Sequence, residues 1–266
     1  MKIGFIGFGN MASAIADGML RGGIVPANDI VAYNPHREKI DAFGRGIAAA
    51  ETAAQAAAQA KYLFLCVKPQ MLDEAVPSFR DALRPDAVIV SILAGKTAAQ
   101  IKESLRTDRP VVRVMPNTPL MLGKGCSALA RPADVSVEDF DFIRRVFSAS
   151  GYAFETTESL INEIIPVNGS SPAAIYYFAK LFADSARKMG VDFDLALRAF
   201  AYTLIGSAAM ILDSGKDIDT LIQMVCSKGG TTLAMLDALD ANGFPDAVEK
   251  GIDACVRRAY ELGDKK

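Results

Sequence analysis

The chain has 266 residues, of which 51% are apolar and 23% charged, and its formal net charge is −2. This composition is typical of a globular protein, and the near-neutral charge predicts neither a nucleic-acid nor a membrane partner. The four Cys are widely spaced and the only His is His36. We therefore predict no metal site, no disulfide framework and no Ser–His or Cys–His catalysis.

The first part of the chain, residues 1–156, alternates β-prone apolar runs with helical stretches. The predicted strands are residues 2–6, 29–33, 62–67, 87–93, 111–115 and 126–130. The predicted helices include residues 11–21, 37–43 and 51–60. This alternation predicts a doubly wound, mostly parallel α/β sheet that is covered by helices on both faces. The apolar runs 62–67 and 87–94 are far too short to span a bilayer, and we expect a cytoplasmic protein.

Residues 157–266 are predicted to form a second, all-helical domain. Ser171 and Pro172 have the pattern of an N-cap and first helical residue. Helices are expected to run from there to residue 189 and over residues 194–212, 231–239 and 245–262. Apolar positions lie on several faces of these helices, which favours a bundle completed by a second subunit. Packing against the first domain is the alternative.

The first strand leads directly into a G-x-G-x-x-A motif, residues 7–12, that opens a helix. Gly7 allows a tight turn, Gly9 lets a pyrophosphate approach the backbone, and Ala12 lets the helix pack closely on the strand. The free N–H groups of Asn10, Met11 and their neighbours at the helix N-terminus would then bind the phosphates. The motif predicts a dinucleotide-binding site, although such glycines also occur in ordinary tight turns.

The end of the second strand indicates which dinucleotide binds. An NAD enzyme usually carries Asp or Glu at this point to bind the ribose hydroxyls. This chain has Asn34, His36 and Arg37 here and no carboxylate to repel a 2′-phosphate, which Arg37 can pair with. The residues favour NADPH, with NADH as the less preferred donor. Alternatively, His36 and Arg37 are only the solvated first turn of a helix.

Two later segments have the residue types of binding loops. Residues 227–232 combine two glycines with Ser and Thr hydroxyls ahead of a helix, which suits a carboxylate; Thr231 or Thr232 could instead serve only as an N-cap. Prolines on either side of Asn117 and Thr118 stiffen the end of a strand, either to place an amide beside a ligand or simply to end that strand.

These motifs in this order resemble the pyrroline-5-carboxylate reductase family along essentially the whole chain: G-F-G-N-M at the start, V-K-P-Q at 67–70, M-P-N-T-P at 115–119, the segment 169–173, and S-K-G-G-T-T at 227–232. The resemblance implies a Rossmann domain, a helical domain that forms a homodimer, and NADPH-dependent reduction of a small cyclic imino acid, 1-pyrroline-5-carboxylate, to L-proline. It leaves assembly beyond the dimer open.

The same resemblance implies which residues form the site. To the cofactor-binding residues already predicted from the motifs, it adds Val67, Lys68, Pro69, Met115, Pro116 and Asn117; the earlier ones are Gly7, Gly9, Asn10, Met11, Asn34, His36 and Arg37. It assigns the substrate carboxylate to Ser227, Lys228, Gly229, Gly230, Thr231 and Thr232. Thr232 is the candidate catalytic residue, because its hydroxyl would lie near the imine nitrogen.

Two departures from the family pattern and two other functions remain open. The family commonly has Pro where this chain has Lys228, and Gly where it has Ser171. A hydroxy-acid dehydrogenase of the same architecture is one alternative, but it would need a Lys base, and residues 167–176 contain no Lys. A non-catalytic NADP-binding regulator is the other alternative.

Overall fold

Eight strands rich in buried β-branched and aromatic residues form a single sheet in the computed structural model, which describes residues 2–264, the last of them by its backbone alone. The strand order is β3-β2-β1-β4-β5-β6-β7-β8. The strands are β1 (Ile3–Ile6), β2 (Ile30–Tyr33), β3 (Ala48–Ala49), β4 (Tyr62–Leu65), β5 (Val88–Ser91), β6 (Val111–Met115), β7 (Gly125–Ala130) and β8 (Gly151–Thr156).

The sheet is parallel from β3 to β6, and β7 turns back antiparallel to β6 before pairing in parallel with β8. The predicted mostly parallel sheet is therefore confirmed. The order 3-2-1-4-5-6 reverses direction between β1 and β4, which is the topological switch point where doubly wound sheets bind their ligands.

Helices cover both faces of this sheet. Successive residues of β1 alternate between two apolar clusters, with Ile3 and Phe5 in one and Ile6 in the other, because side chains of a strand point to opposite faces in turn. The helices of this part are α1 (Asn10–Arg21), α2 (Glu38–Asp41), α3 (Ala53–Gln59), α4 (Leu72–Ala75), α5 (Ala98–Leu105) and α6 (Val137–Ser148).

The predicted elements differ from the structure at several places. The strands β3 and β8 and the helices α4, α5 and α6 were not predicted, although Thr97 and Gln100 form a capping box ahead of α5. Helix α3 begins at Ala53 after the N-cap Thr52, so Glu51 lies outside the helix in which it was predicted. Ser171 is itself the first residue of a helix, and its hydroxyl donates to the Val167 carbonyl oxygen instead of capping.

The chain divides into two compact units, one formed by residues up to Pro172 together with those from Cys255 onward, the other by Ala173–Ala254. The boundary proposed from the sequence, after residue 156, falls at the end of β8. In the first unit, the Gly263 carbonyl accepts hydrogen bonds from Lys96 Nζ at 3.3 Å and Gln100 Nε2 at 3.1 Å. Buried Arg113 donates to Glu158 and Asn162, so its charge is paired with a carboxylate inside this unit.

Helices make up the second unit and extend into the first. They are α7 (Ser171–Lys188), α8 (Phe193–Asp213), α9 (Ile218–Val225), α10 (Thr231–Ala241) and α11 (Phe244–Asp264); α9 was not predicted. Four phenylalanines form an aromatic cluster with ring centroids 4.5 to 6.0 Å apart: Phe178, Phe182, Phe200 and Phe244. Stacked and tilted ring pairs of this kind contribute beyond their burial alone.

Helix α8 presents a long apolar surface in the second unit. None of its residues is buried within the chain, and Tyr202, Ile205 and Leu212 are 66% to 79% exposed. By length and composition α8 could also cross a membrane. The sequence analysis considered only shorter apolar runs, at residues 62–67 and 87–94, and did not consider this one. Charged residues interrupt it at Asp194 and Arg198. An apolar helix left this exposed needs a cover, since contiguous apolar surface of this extent marks an interaction site.

Candidate active site

Gly7 forms the turn that joins β1 to α1 at the switch point. Its φ is +85°, a left-handed conformation that costs a side chain free energy. A Cβ at this position would lie 2.9 Å from the backbone carbon and oxygen of Cys66 and 3.0 Å from the Val67 nitrogen. Two backbones therefore meet at the ends of β1 and β4, and only glycine allows both the conformation and the approach.

Gly9 stands at the N-cap of α1 with an open space in front of it. It has no side chain to cap the helix, and a Cβ here would meet nothing within 4 Å. The N–H groups of Asn10, Met11 and Ala12 have no partner within the helix, as in any first turn. Ala12 is buried against the sheet, as predicted. The open space and the unpaired N–H groups together fit a pyrophosphate.

Gly9→Ala is expected to weaken NADPH binding about tenfold or more, while the free energy of unfolding changes by no more than about 1 kcal/mol. The fold accommodates a methyl group here, whereas a pyrophosphate bound to the first turn of α1 needs the same space. Isothermal titration with NADPH and urea unfolding of the same variant separate the two effects. Unchanged affinity would mean that the cofactor does not use this space.

Asn34, His36 and Arg37 lie together after β2, at the edge of the sheet where β1 also ends. The Asn34 side-chain oxygen accepts from the His36 N–H at 2.9 Å, so its amide hydrogens point away from this turn and remain available as donors. His36 Nδ1 lies 3.3 Å from Glu38. All three are partly or fully exposed, so they can reach a ligand.

The structure places two carboxylates beside Arg37 that the sequence prediction did not consider. Arg37 contacts Glu51 at 3.2 Å, and its Nε lies 3.7 Å from Asp41. Glu51 follows β3, the neighbour of β2, so the fold brings it beside residues that are 14 positions earlier. The end of β2 carries no carboxylate of its own, as predicted, but the fold brings Glu51 to Arg37, which the prediction did not consider. The Thr52-x-x-Gln55 capping pattern indicates only that Glu51 precedes α3; its approach to Arg37 depends on the pairing of β2 with β3.

The end of β4 supplies residues 66–69. Lys68 is exposed, Val67 and Pro69 are half-buried, and Pro69 starts a short 3₁₀ helix. Burial raises the pKa of the Cys66 thiol, so this group stays protonated and is a poor nucleophile. The side of the switch point formed by β4 thus offers backbone, apolar surface and the exposed ammonium group of Lys68.

Met115, Pro116 and Asn117 at the end of β6 are all buried. The Asn117 amide nitrogen donates to the Asn168 carbonyl at 3.0 Å, and its oxygen accepts from the Cys126 N–H at 2.9 Å. Both ends of this amide therefore hold protein backbone, which gives Asn117 a positioning role. Direct contact of these three residues with a nicotinamide stays a prediction.

Asn168 is a second buried amide at this point, and the sequence analysis missed it. It belongs to a π-helical turn, Ile165–Gly169, a feature often found at functional sites. Its amide nitrogen donates to the carbonyls of Met115 at 2.7 Å and Cys126 at 3.2 Å. Asn117 and Asn168 thus lock the end of β6 to its surroundings. No local pattern revealed this, because the partners are about fifty residues apart.

In the second unit, residues 227–232 form a turn that leads into α10. Gly230 N–H donates to the Ser227 carbonyl at 2.9 Å, and Gly229 has φ +72°. Gly230, not a threonine, is the N-cap, which removes the interpretation of Thr231 or Thr232 as mere caps. Thr232 is half-buried and Thr231 exposed.

The polar side chains of this turn lie at the N-terminus of α10. Within the described part of the chain, the hydroxyls of Ser227, Thr231 and Thr232 have no hydrogen-bond partner, and Lys228 is exposed without an ion pair. The first N–H groups of α10 are unpaired as well. The turn therefore concentrates free donors at the positive end of a helix dipole, which suits a carboxylate. Residues 2–264 contain no group of three His, Cys, Asp or Glu side chains that could hold a metal ion.

Comparison with known proteins identifies both parts of the chain. Residues 158–262 match the family model for pyrroline-5-carboxylate reductase dimerisation, and residues 2–95 match the model for the coenzyme F420-dependent NADP oxidoreductase domain. The pyrroline-5-carboxylate reductase of Escherichia coli is 36% identical over 263 residues, which cover 98% of each chain.

Solved structures agree over the full length. A pyrroline-5-carboxylate reductase from Coxiella burnetii superposes with a TM-score of 0.89 at 29% identity, over 99% of each chain. The Plasmodium falciparum pyrroline carboxylate reductase, solved with NADP bound, has a TM-score of 0.91 over 99% of this chain and 98% of its own; at 24% identity this likeness concerns the fold. By its identity to the Escherichia coli enzyme over almost its whole length, the chain belongs to the pyrroline-5-carboxylate reductase family.

Proposed function

We propose that this protein reduces 1-pyrroline-5-carboxylate to L-proline with NADPH, the last step of proline biosynthesis, and that it works as a homodimer. The proposal rests on full-length family membership together with two turns that fit the ligands: the open glycine turn before α1 and the donor-rich turn before α10. A reductase of the cyclic imine needs both a dinucleotide site and a carboxylate site. NADH is expected to serve as a poorer donor.

When bound, the dinucleotide supplies the hydride that adds to the carbon of the C=N bond, while the ring nitrogen takes up one proton. The protein residues contribute binding and orientation. The first turn of α1 receives the pyrophosphate, Arg37 and Asn34 receive the 2′-phosphate, and residues 227–232 receive the substrate carboxylate. A protonated imine is already electrophilic, so no strong side-chain acid is required.

The direct test is to follow NADPH consumption by its near-ultraviolet absorbance with 1-pyrroline-5-carboxylate, with NADH in parallel and proline measured as the product. Rapid oxidation of NADPH with equimolar proline would support the assignment. Protein that binds NADPH but turns over nothing would contradict it and would favour a non-catalytic role. Turnover of a hydroxy acid instead would favour the dehydrogenase alternative.

Thr232→Ala is expected to lower kcat about tenfold to a hundredfold, the worth of one hydrogen bond to a charged group, with NADPH affinity unchanged. The half-buried hydroxyl at the second position of α10 would donate to the neutral imine nitrogen and so help it take up its proton. Thr232→Ser keeps the hydroxyl and should retain most activity, and exposed Thr231→Ala serves as the neighbouring control. Full turnover by Thr232→Ala would remove this residue from the mechanism.

The homodimer is proposed from the exposed apolar face of α8 and its neighbours in the second unit. A monomer in water would leave Tyr202, Ile205 and Leu212 largely solvated, whereas burial against a second copy removes that apolar area from water. All four cysteines are free and partly buried, as is usual in a reducing compartment. This supports the further proposal that the dimer is cytoplasmic.

A further inference from the structure

A carboxylate stands where the 2′-phosphate of NADPH is expected to bind. Strands β2 and β3 pair in parallel, with Ala32 opposite Ala49, and the Ala50 N–H donates to the Ala32 carbonyl at 2.8 Å. The ends of both strands therefore emerge side by side at one edge of the sheet. Asn34 follows one strand and Glu51 follows the other.

The backbone of Glu51 is held by the cap of α3. Its N–H donates to the Gln55 side-chain oxygen at 2.7 Å, while the Gln55 N–H donates to the Thr52 hydroxyl at 3.1 Å. This reciprocal arrangement resembles a capping box in which the donor is the N–H of Glu51 and not that of the N-cap Thr52. These bonds hold the backbone of the loop after β3, and the Glu51 carboxylate accepts from the Arg37 guanidinium at 3.2 Å.

We propose that Glu51 is a specificity-determining residue that competes with the 2′-phosphate of NADPH for Arg37 and so narrows the preference for NADPH over NADH. The proposal rests on the assignment of NADPH to this site under the proposed function. Arg37 carries one positive charge and already contacts two carboxylates, Glu51 and Asp41. A phosphate that binds Arg37 must displace or share these contacts.

The two cofactors differ in how they meet this carboxylate. The 2′-phosphate of NADPH is a dianion near neutral pH and is repelled by Glu51, in addition to losing part of Arg37. NADH presents a 2′-hydroxyl, which can donate a hydrogen bond to a carboxylate, as in NAD enzymes with Asp or Glu at the end of the second strand. Glu51 therefore weakens the binding of NADPH but not the binding of NADH.

The solvent exposure of Arg37 and Glu51 limits how strongly Glu51 can weaken NADPH binding. The side chains of Arg37 and Glu51 are 58% and 79% exposed, so solvent screens their interaction. Removing the Glu51 charge is therefore expected to tighten NADPH binding by roughly threefold to tenfold, and this gain should fall as the salt concentration rises. The NADH affinity is expected to stay the same or decrease.

The experiment measures equilibrium binding of NADP⁺ and NAD⁺ to the full-length protein by isothermal titration at low and high salt. Glu51→Gln is compared with wild type and with the matched control Glu38→Gln. Glu38 lies in the same region and loses the same charge, but it contacts His36 instead of Arg37. We expect the ratio of NAD⁺ to NADP⁺ dissociation constants to rise in Glu51→Gln only.

A double-mutant cycle with Arg37→Met tests the competition itself, because the gain from Glu51→Gln should vanish when Arg37 is absent. An unchanged ratio in Glu51→Gln would overturn the proposal, as would an equal gain in Glu38→Gln or a gain that persists without Arg37. Binding is read without turnover, so absent reductase activity with intact NADP⁺ binding would contradict the proposed function alone.

Discussion

Gly7→Ala is expected to raise the dissociation constant for NADPH by about a hundredfold or more, because a small displacement of a ligand-binding backbone costs this much. The methyl group would press on the backbone of Cys66 and Val67 at about 2.9 to 3.0 Å, and neither neighbour is a flexible side-chain end that could move aside. The turn would have to open, and the first turn of α1 would move with it.

The same variant is expected to lose about 1–3 kcal/mol of stability, from the strained φ and the displaced strand ends. The control is Gly23→Ala: Gly23 also has a positive φ of +63°, but a Cβ there meets nothing within 4 Å. Gly23→Ala should lose stability through its strained φ alone, without a steric clash, and should keep the NADPH affinity of the wild type. Titration with NADPH and urea unfolding measure both quantities. Wild-type affinity in Gly7→Ala would place the dinucleotide elsewhere.

Ile205→Glu is expected to convert the dimer into monomers, with a rise in the dimer dissociation constant of roughly a thousandfold or more, and to abolish turnover. Ile205 lies in the middle of α8 and is 66% exposed in the single chain. If α8 is covered by a second copy, the substitution buries one unpaired carboxylate from each subunit, and each costs several kcal/mol.

Sedimentation velocity across a range of protein concentrations measures this change. The matched control is Val137→Glu, which adds the same charge at an exposed apolar residue, 62% accessible, at the start of α6 in the first unit. A glutamate in a first helical turn is favourable, so this control should remain folded and dimeric. A dimer that survives Ile205→Glu would move the interface away from the middle of α8.

The glycine turn, the helix that follows it and most strands of the sheet could be predicted from the sequence, because they depend on neighbouring residues. Gly7 is required by its own φ and by the strand that precedes it. The run at Val111–Met115 was predicted to the residue, since its five positions are all buried. Strand β3 was missed because two alanines, one of them exposed, have no strand pattern of their own.

The exposed face of α8 illustrates a different limit. Its composition predicts a buried helix, and the expected bundle partner was a second subunit. The chain by itself buries none of its residues. Hydrophobicity determines that a surface needs a cover but not which surface provides it, so the dimer remains a proposal that the Ile205→Glu experiment decides.

By itself, the sequence determined the doubly wound sheet, the glycine turn before α1 and the donor-rich turn before α10, because each is set by local periodicity or by glycine conformation. Only the tertiary structure decided that Glu51 meets Arg37 and that Asn117 interlocks with Asn168. These contacts depend on which strands become neighbours and in which register. Strand pairing and register depend on the free energy of the whole packed sheet, so they cannot be derived from the residues that neighbour Glu51 or Asn117 in the sequence.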